Sequence, residues 1–140
     1  MHRLFARFIP IAALLLVVSA CGGDDGGDTT TTPPPVDITE PFQGVIALNG
    51  AFTHPFTVTS PGVITAQLVS LSPDPTLVVG LALGVWNGSI CQIVRANDQT
   101  KQGDVVDGAT NTAGEFCVRI YDANGTIVQA QAYLIHVFHQ

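Results

Sequence analysis

Residues 77–88 have the sequence LVVGLALGVWNG, and this stretch decides the fold class. Its period of two would place Leu81 and Leu83 on one face of a strand, opposite Gly80 and Gly84. A strand with large apolar residues on one face and small ones on the other is typical of the middle of a sheet with a close neighbour above it. The stretch therefore predicts a central β-strand.

The same period of two recurs along the rest of the chain. The other alternating apolar sets are Phe56 and Val58; Ile64, Ala66 and Leu68; Phe116, Val118 and Ile120; and Tyr133, Ile135 and Val137. The dipeptides that predict tight hairpins are Asn49-Gly50, Asn87-Gly88, Asp107-Gly108 and Asn124-Gly125. Many short strands at this spacing predict an all-β protein, an antiparallel β-sandwich of about seven or eight strands. A small barrel is the alternative.

The amino terminus has the pattern of an export signal. Arg3 and Arg7 precede an apolar run at 8–18, which is shorter than the roughly 20 residues of a membrane-spanning helix. The run ends in Val18-Ser19-Ala20-Cys21, which resembles the bacterial lipobox. This resemblance implies a signal peptide at 1–20, cleavage before Cys21 and acylation of Cys21, so that lipid would hold the protein to a bilayer. A plain secretory signal is the alternative.

Residues 21–40 are expected to form a disordered tether before a domain at 41–140. Glycine, aspartate, threonine and proline dominate this stretch, and they cannot bury enough apolar surface to offset chain entropy. Its Asp24, Asp25 and Asp28 could attract calcium, although a disordered chain offers no frame to converge them. Gly22 rather than aspartate follows Cys21, which by the enterobacterial sorting rule indicates the outer membrane.

Cysteine and charge counts narrow the function further. Cys21 is set aside for lipid, so Cys91 and Cys117 are left to form a disulfide in an oxidising compartment. Without the signal peptide the chain has three basic residues against eleven acidic ones, and it has no means of neutralising a row of phosphates. Nucleic-acid binding is therefore excluded.

Three segments of the domain are similar to the bacterial prepeptidase C-terminal domain. They are Ser60-Pro61-Gly62 with the following Val63-Ile64-Thr65-Ala66, Asp74-Pro75-Thr76-Leu77, and the stretch GEFCVRIY at 114–121. The resemblance spans residues 52 to 138 and implies a jelly-roll-like β-sandwich of a kind found beside secreted peptidases, with relatives that bind calcium, polysaccharide or collagen. No peptidase precedes the domain here. Thr76 stands where the family usually has a second aspartate, which counts against a metal role for Asp74.

Catalytic groups are sparse in the predicted domain. His54 precedes a proline, while His136 and His139 lie three apart on a strand and so face opposite ways. No serine lies in a Gly-x-Ser-x-Gly setting, and the chain has no phosphate-binding glycine loop. We therefore expect a protein that is not an enzyme and has no cofactor.

Two features could bind a ligand. Asn97, Asp98, Asp104 and Asp107 lie in one polar stretch that could hold calcium, or could be a solvated loop. Trp86, beside a predicted turn, could stack on a sugar or be a core residue. Asn87-Gly88-Ser89 matches a glycosylation sequon but is expected to serve the turn.

The sequence thus predicts a lipid-anchored, extracytoplasmic binding or accessory module whose partner is a glycan, a matrix component or an envelope protein. A structural subunit of an envelope assembly and a small secreted hydrolase are the alternatives.

Overall fold

The computed structural model of the protein describes residue 34 and residues 36–140. The expected signal peptide, lipobox and Asp24–Asp28 cluster lie outside the described residues. Within them the chain is all-β, as the sequence predicted, with eight antiparallel strands and no helix. The strands are β1 (Ile38–Ile46), β2 (Ala51–Val58), β3 (Gly62–Ser72), β4 (Val79–Trp86), β5 (Cys91–Thr100), β6 (Val105–Thr110), β7 (Gly114–Tyr121) and β8 (Gln131–His139).

The strands form two four-stranded sheets that pack as a sandwich. One sheet has the order β1-β8-β3-β6 and the other β2-β7-β4-β5. Edge strand β1 lies beside β2, and edge strand β6 lies beside β5. We call the β1/β2 side the closed edge and the β5/β6 side the open edge, because their packing differs as described below.

Strand β4 occupies the middle of its sheet, as residues 77–88 predicted. On its outer face a side chain at Gly80 would collide with the ring of Tyr121, and one at Gly84 would collide with the Gln92 carbonyl beside Cys91. The small residues are therefore required by close neighbours. All residues from Val79 to Leu83 are buried, whereas Val85 is exposed near one end of the strand.

The core lies between the sheets and contains the predicted alternating sets. Its buried members are Ile46, Phe56, Val58, Ile64, Ala66, Leu68, Leu71, Val79, Leu81, Leu83, Val106, Val118, Ile120, Ile127, Tyr133, Ile135 and Val137. Phe116 is only partly buried. Strand β1 begins at Ile38, before the expected domain start at residue 41, because Ile38 to Glu40 pair with the end of β8.

One of the four predicted hairpins is present: Asn87-Gly88 joins the paired strands β4 and β5. Asn49-Gly50 and Asn124-Gly125 also lie between consecutive strands, but these connections cross from one sheet to the other, so the hairpin prediction is wrong there. Asp107-Gly108 instead lies inside β6, where the two residues pair with Thr65 and Ile64 of β3. The turn comes earlier, at Lys101–Asp104, where Gly103 adopts a positive φ of 94° that suits glycine.

The predicted disulfide is present. Cys91 on β5 is bonded to Cys117 on β7, with a Cα–Cα distance of 5.8 Å, so the bridge spans the outer face of β4. In the described part of the chain, no helix has the length and apolar character needed to cross a bilayer.

Candidate functional site

A cavity of about 910 Å³ opens at one end of the open edge, between the two sheets. We call it the β5–β6 cleft. The end of β4, the middle of β5, the second half of β6 and the connection between β6 and β7 surround it. Its volume lies in the range of small-molecule and peptide-side-chain pockets.

The floor of the cleft is part of the hydrophobic core. Ile64 of β3 and Leu83 of β4 are buried there, and the ring of Phe116 from β7 is partly buried. Gly108 of β6 contributes no side chain above them, and a Cβ at this position would lie 3.6 Å from Leu83. The floor is therefore apolar and rigid, as it rests on three strands.

Apolar side chains also reach the mouth of the cleft. Val63, Val85 and Val94 all line it and all are exposed, Val94 to 68%. Ile93, which precedes Val94 on β5, is exposed as well. Exposed apolar side chains beside a concave site are typical of an interaction surface.

Polar groups at the cleft join the two edge strands. Arg95 Nε on β5 donates a hydrogen bond of 3.4 Å to the Asp107 carbonyl on β6. The Asp107 carboxylate accepts one of 2.7 Å from Thr65 Oγ1 on β3. Glu115 also lines the cleft, and its carboxylate accepts a hydrogen bond of 2.8 Å from Thr57. A second depression of about 470 Å³ shares Val94, Arg95 and Asp107 with the cleft and extends it along the open edge.

The structure brings together two of the four predicted ligand-binding residues. Trp86 and Asp107 both line the cleft, and Trp86 is half-buried. Asp98 instead accepts a hydrogen bond from the Tyr121 hydroxyl; burial, together with this bond, raises the pKa of Tyr121 to about 12. Asp104 accepts one of 2.9 Å from the Lys101 amide and so closes the β5–β6 turn.

The prediction that residues 97–107 form one polar loop is wrong. Asn97 and Asp98 belong to β5 and Asp107 to β6, and only 101–104 lie between them. The sequence is polar here because β5 is an edge strand exposed to solvent, so polarity did not mark a loop. The structure describes no group of three His, Cys, Asp or Glu side chains that could hold a metal ion together.

The carboxylate of Asp74, for which the family resemblance raised a metal role, forms hydrogen bonds within its own turn. It accepts hydrogen bonds from the Thr76 amide (2.9 Å) and the Thr76 hydroxyl (2.7 Å). These bonds to the ionised form lower the pKa of Asp74. Thr76 and Asp74 thus stabilise their own turn.

Two of the histidines belong to the closed edge. His54 Nε2 on β2 shares a hydrogen bond of 2.8 Å with the Tyr133 hydroxyl on β8, and its ring stacks on Phe42 of β1 at 5.1 Å. Burial lowers the pKa of His54 and raises that of Tyr133. His139 Nε2 shares a hydrogen bond of 2.7 Å with Glu40 Oε1.

The third histidine, His136, lies on the opposite face of β8 from His139, as predicted. Between Pro34 and Gln140, no serine hydroxyl is hydrogen-bonded to a histidine. The histidines therefore do not meet the requirements of an acid, base and nucleophile set.

Sequence reasoning missed most residues of the cleft. The sequence assigned Leu83 and Phe116 to the core. Both do pack in the core, but both also line the cleft. Arg95 and Val94 were not singled out at all. The available signal was the apolar pair Ile93-Val94 in a stretch that is otherwise polar.

Comparisons with known proteins bear on the fold. No protein-family model matches the chain, and no curated protein matches it. Among solved structures, it is similar to the crystal structure of Aeromonas hydrophila PliG, a periplasmic lysozyme inhibitor of g-type lysozyme. The TM-score is 0.50 at 10% sequence identity, and the match covers 71% of this chain and 83% of that one. At this identity the similarity concerns the fold alone.

Proposed function

We propose that this protein is a lipid-anchored, extracytoplasmic binding module without catalytic activity, and that its ligand is a protein. The β5–β6 cleft carries the proposal, because it combines an apolar floor with an exposed apolar mouth at the one edge that is left open. Rigid sandwiches commonly place binding residues at such edges and at strand connections.

The fold supports a protein ligand by analogy. The similar structure is described as a periplasmic inhibitor of an enzyme, which is a protein that acts by binding another protein. Residues 36–140 add a charge argument, since they contain eight acidic side chains and three basic ones. Charge complementarity favours a basic partner surface. A basic wall-degrading enzyme of the lysozyme class is the first partner to test.

The absence of catalysis is supported by where the titratable groups lie. His54 is tied to Tyr133, and His139 to Glu40, both at the closed edge and away from the cleft. The cleft itself contains Arg95, Asp107 and Glu115 but no histidine or cysteine side chain. A hydrolase would need a base beside a nucleophile in a concave site.

The anchor is proposed from the lipobox at Val18–Cys21. In the native host, Cys21→Ala should abolish processing and move the protein out of the membrane fraction. Ser19→Gly, which keeps a small residue at the cleavage site, is the matched control. Membrane fractionation of Cys21→Ala equal to that of the wild type would contradict the anchor.

A glycan ligand is the second candidate, and Trp86 favours it. Its half-buried indole lines the cleft, where a sugar ring could stack on it. A structural subunit of an envelope assembly would use the same exposed apolar side chains. The crosslinking experiment below distinguishes a glycan from a protein ligand, and the lysozyme assay that follows it distinguishes an enzyme partner from a structural assembly.

Site-specific photocrosslinking in the native envelope tests the proposed function. A photoreactive residue would replace Val94 at the cleft, Val45 on the closed edge or Val128 in the β7–β8 connection, which is 99% exposed. We expect a protein adduct of defined mass from position 94 alone. Lysozymes of several classes would then be assayed for inhibition by the purified protein. Adducts that form equally at all three positions, or a carbohydrate adduct at 94, would contradict a protein ligand at the cleft.

A further inference from the structure

The backbone of β6 presents unpaired groups to the cleft. On β3, the Leu68 amide donates a hydrogen bond to the Asp104 carbonyl, and the Leu68 carbonyl accepts one from the Gly103 amide. Both backbone groups of Leu68 therefore point toward β6. In an antiparallel ladder the amide and carbonyl of one residue point the same way, and the direction alternates along the strand. By this alternation Val106 and Gly108, which pair with Ala66 and Ile64, bond to β3.

The intervening residues of β6 therefore point away from β3. Asp107 confirms this direction, since its carbonyl accepts the Arg95 hydrogen bond from the facing sheet. Ala109 lies two residues further along and lines the cleft. In the described part of the chain, no backbone hydrogen bond outside the ladders involves residues 105–110. The Ala109 amide and carbonyl are thus a free donor and acceptor at the wall of an apolar cleft.

A free strand edge next to an apolar floor fits an extended peptide. Main-chain hydrogen bonds to the edge give affinity, while alternate side chains of the peptide enter a pocket. Here the pocket floor is Leu83 with Ile64, and the adjoining depression continues along the same edge. Edge strand β5 is less suited to pairing, because the β4–β5 ladder shifts register twice and such bulges twist an edge away.

The charged residues that line the cleft indicate which peptide composition it would bind. Asp107 and Glu115 line the cleft, and Arg95 is the one cationic side chain among its lining residues. Residues 22–35 of this chain are a poor occupant, because they carry Asp24, Asp25 and Asp28 and no large apolar side chain. A second copy of the domain would bring further negative charge to Asp107 and Glu115. A basic segment of a partner protein would instead complement these two carboxylates.

We propose that the β5–β6 cleft binds an extended basic segment of a partner protein, which adds as a strand to the outer edge of β6 and places an apolar side chain on Leu83. The proposal rests on the proposed function and specifies its mode of recognition. An amide of the incoming strand donates a hydrogen bond to the Asp107 carbonyl and so replaces the one from Arg95.

Three synthetic peptides test the proposal on the full chain by fluorescence anisotropy. The first alternates lysine and valine, the second replaces lysine by glutamate, and the third is the first with alternate backbone amides methylated. We expect the lysine peptide to bind, the glutamate peptide to bind at least about tenfold more weakly, and methylation to weaken binding by about tenfold. Equal affinity of the methylated peptide and its parent, or of the lysine and glutamate peptides, overturns the proposal.

Two variants sharpen the test. Arg95→Ala frees the Asp107 carbonyl and removes a like charge, so it should bind the lysine peptide more tightly. Lys101→Ala is the matched control, because it removes the same charge at the β5–β6 turn and should leave the affinity nearly unchanged. Ala109→Pro removes the outward amide without taking a bond from β3 and should abolish binding. Weaker binding by Arg95→Ala, or a change equal to that of Lys101→Ala, contradicts strand addition.

The test of strand addition can fail without overturning the proposed function. A protein adduct at position 94 together with peptide binding that ignores backbone methylation refutes strand addition and leaves the binding module intact. Failure of the position 94 adduct refutes the proposed function itself.

Discussion

The two edges of the sandwich differ in how the space between their edge strands is packed. At the closed edge, the rings of Phe42 and His54 stack, as do those of Phe56 and His139, and a tilted contact between Phe42 and Phe56 joins the two pairs. At the open edge, the corresponding space between β5 and β6 is the cleft. The same pair of sheets therefore ends in a packed seam on one side and in an accessible apolar site on the other.

Proline placement follows the same division. Strand β1 contains Pro41 and strand β2 contains Pro55, and each proline removes a donor from an exposed sheet edge. Strands β5 and β6 contain no proline. The closed edge is thus protected against adding a strand, whereas β6 is not. This difference indicates that one edge stabilises the domain and that the other is available for recognition.

The largest effect is expected in the closed edge, at Phe56. This side chain is 4% exposed and contacts the rings of Phe42, Phe116 and His139. Phe56→Ala should lower the free energy of unfolding by about 3 to 5 kcal/mol, because it leaves a cavity in the core. Urea denaturation measures the loss. A loss below about 1 kcal/mol would remove the distinction between the edges.

The disulfide provides the next test, since it holds the open edge in place. Strand β5 pairs only with β4, and the Cys91–Cys117 bond is its covalent link to β7. Replacing both cysteines by alanine should cost about 3 to 4 kcal/mol for a separation of 26 residues. Denaturation of the double variant, with dithiothreitol-treated wild type as the control, gives the value. Unchanged stability would mean that the open edge needs no such link.

Trp86 is expected to have a smaller effect on stability than Phe56. It is half-buried at the end of β4 and lines the cleft. Trp86→Ala should therefore cost about 1 to 2 kcal/mol and weaken partner binding at the same time. Thermal unfolding and binding would be measured on the same preparation. A loss as large as that of Phe56→Ala, with binding intact, would assign Trp86 to the core alone.

The smallest effect concerns pH and the closed edge. Burial lowers the pKa of His54 below its ordinary value of 6.5, so the unfolded chain takes up a proton before the folded protein does. The stability present above pH 6.5 should fall as the pH drops toward the folded pKa. His54→Gln should flatten this dependence in unfolding midpoints measured from about pH 8 to about pH 5. Identical pH profiles for the wild type and His54→Gln would contradict the assignment.

Local patterns predicted the elements of the fold but not the cleft. The alternation in residues 77–88 and the Asn-Gly turns were sufficient because strand faces and tight turns depend on near neighbours in sequence. Asp107-Gly108 misled this reasoning, since its role is set by pairing with Thr65 and Ile64, far away along the chain. The Arg95–Asp107 contact likewise depends on how the two sheets end beside each other. No pattern within one strand encodes that relation.

Amide hydrogen exchange can show in one measurement whether the open edge, and not the closed edge, binds the partner. The full chain would be measured alone and with the partner captured through position 94, and the edge strands of both sides would be compared. We expect slower exchange at Ala109 and its neighbours in β6 when the partner is bound, with no change in β1 and β2. Slower exchange confined to β1 and β2, with β6 unchanged, would contradict it.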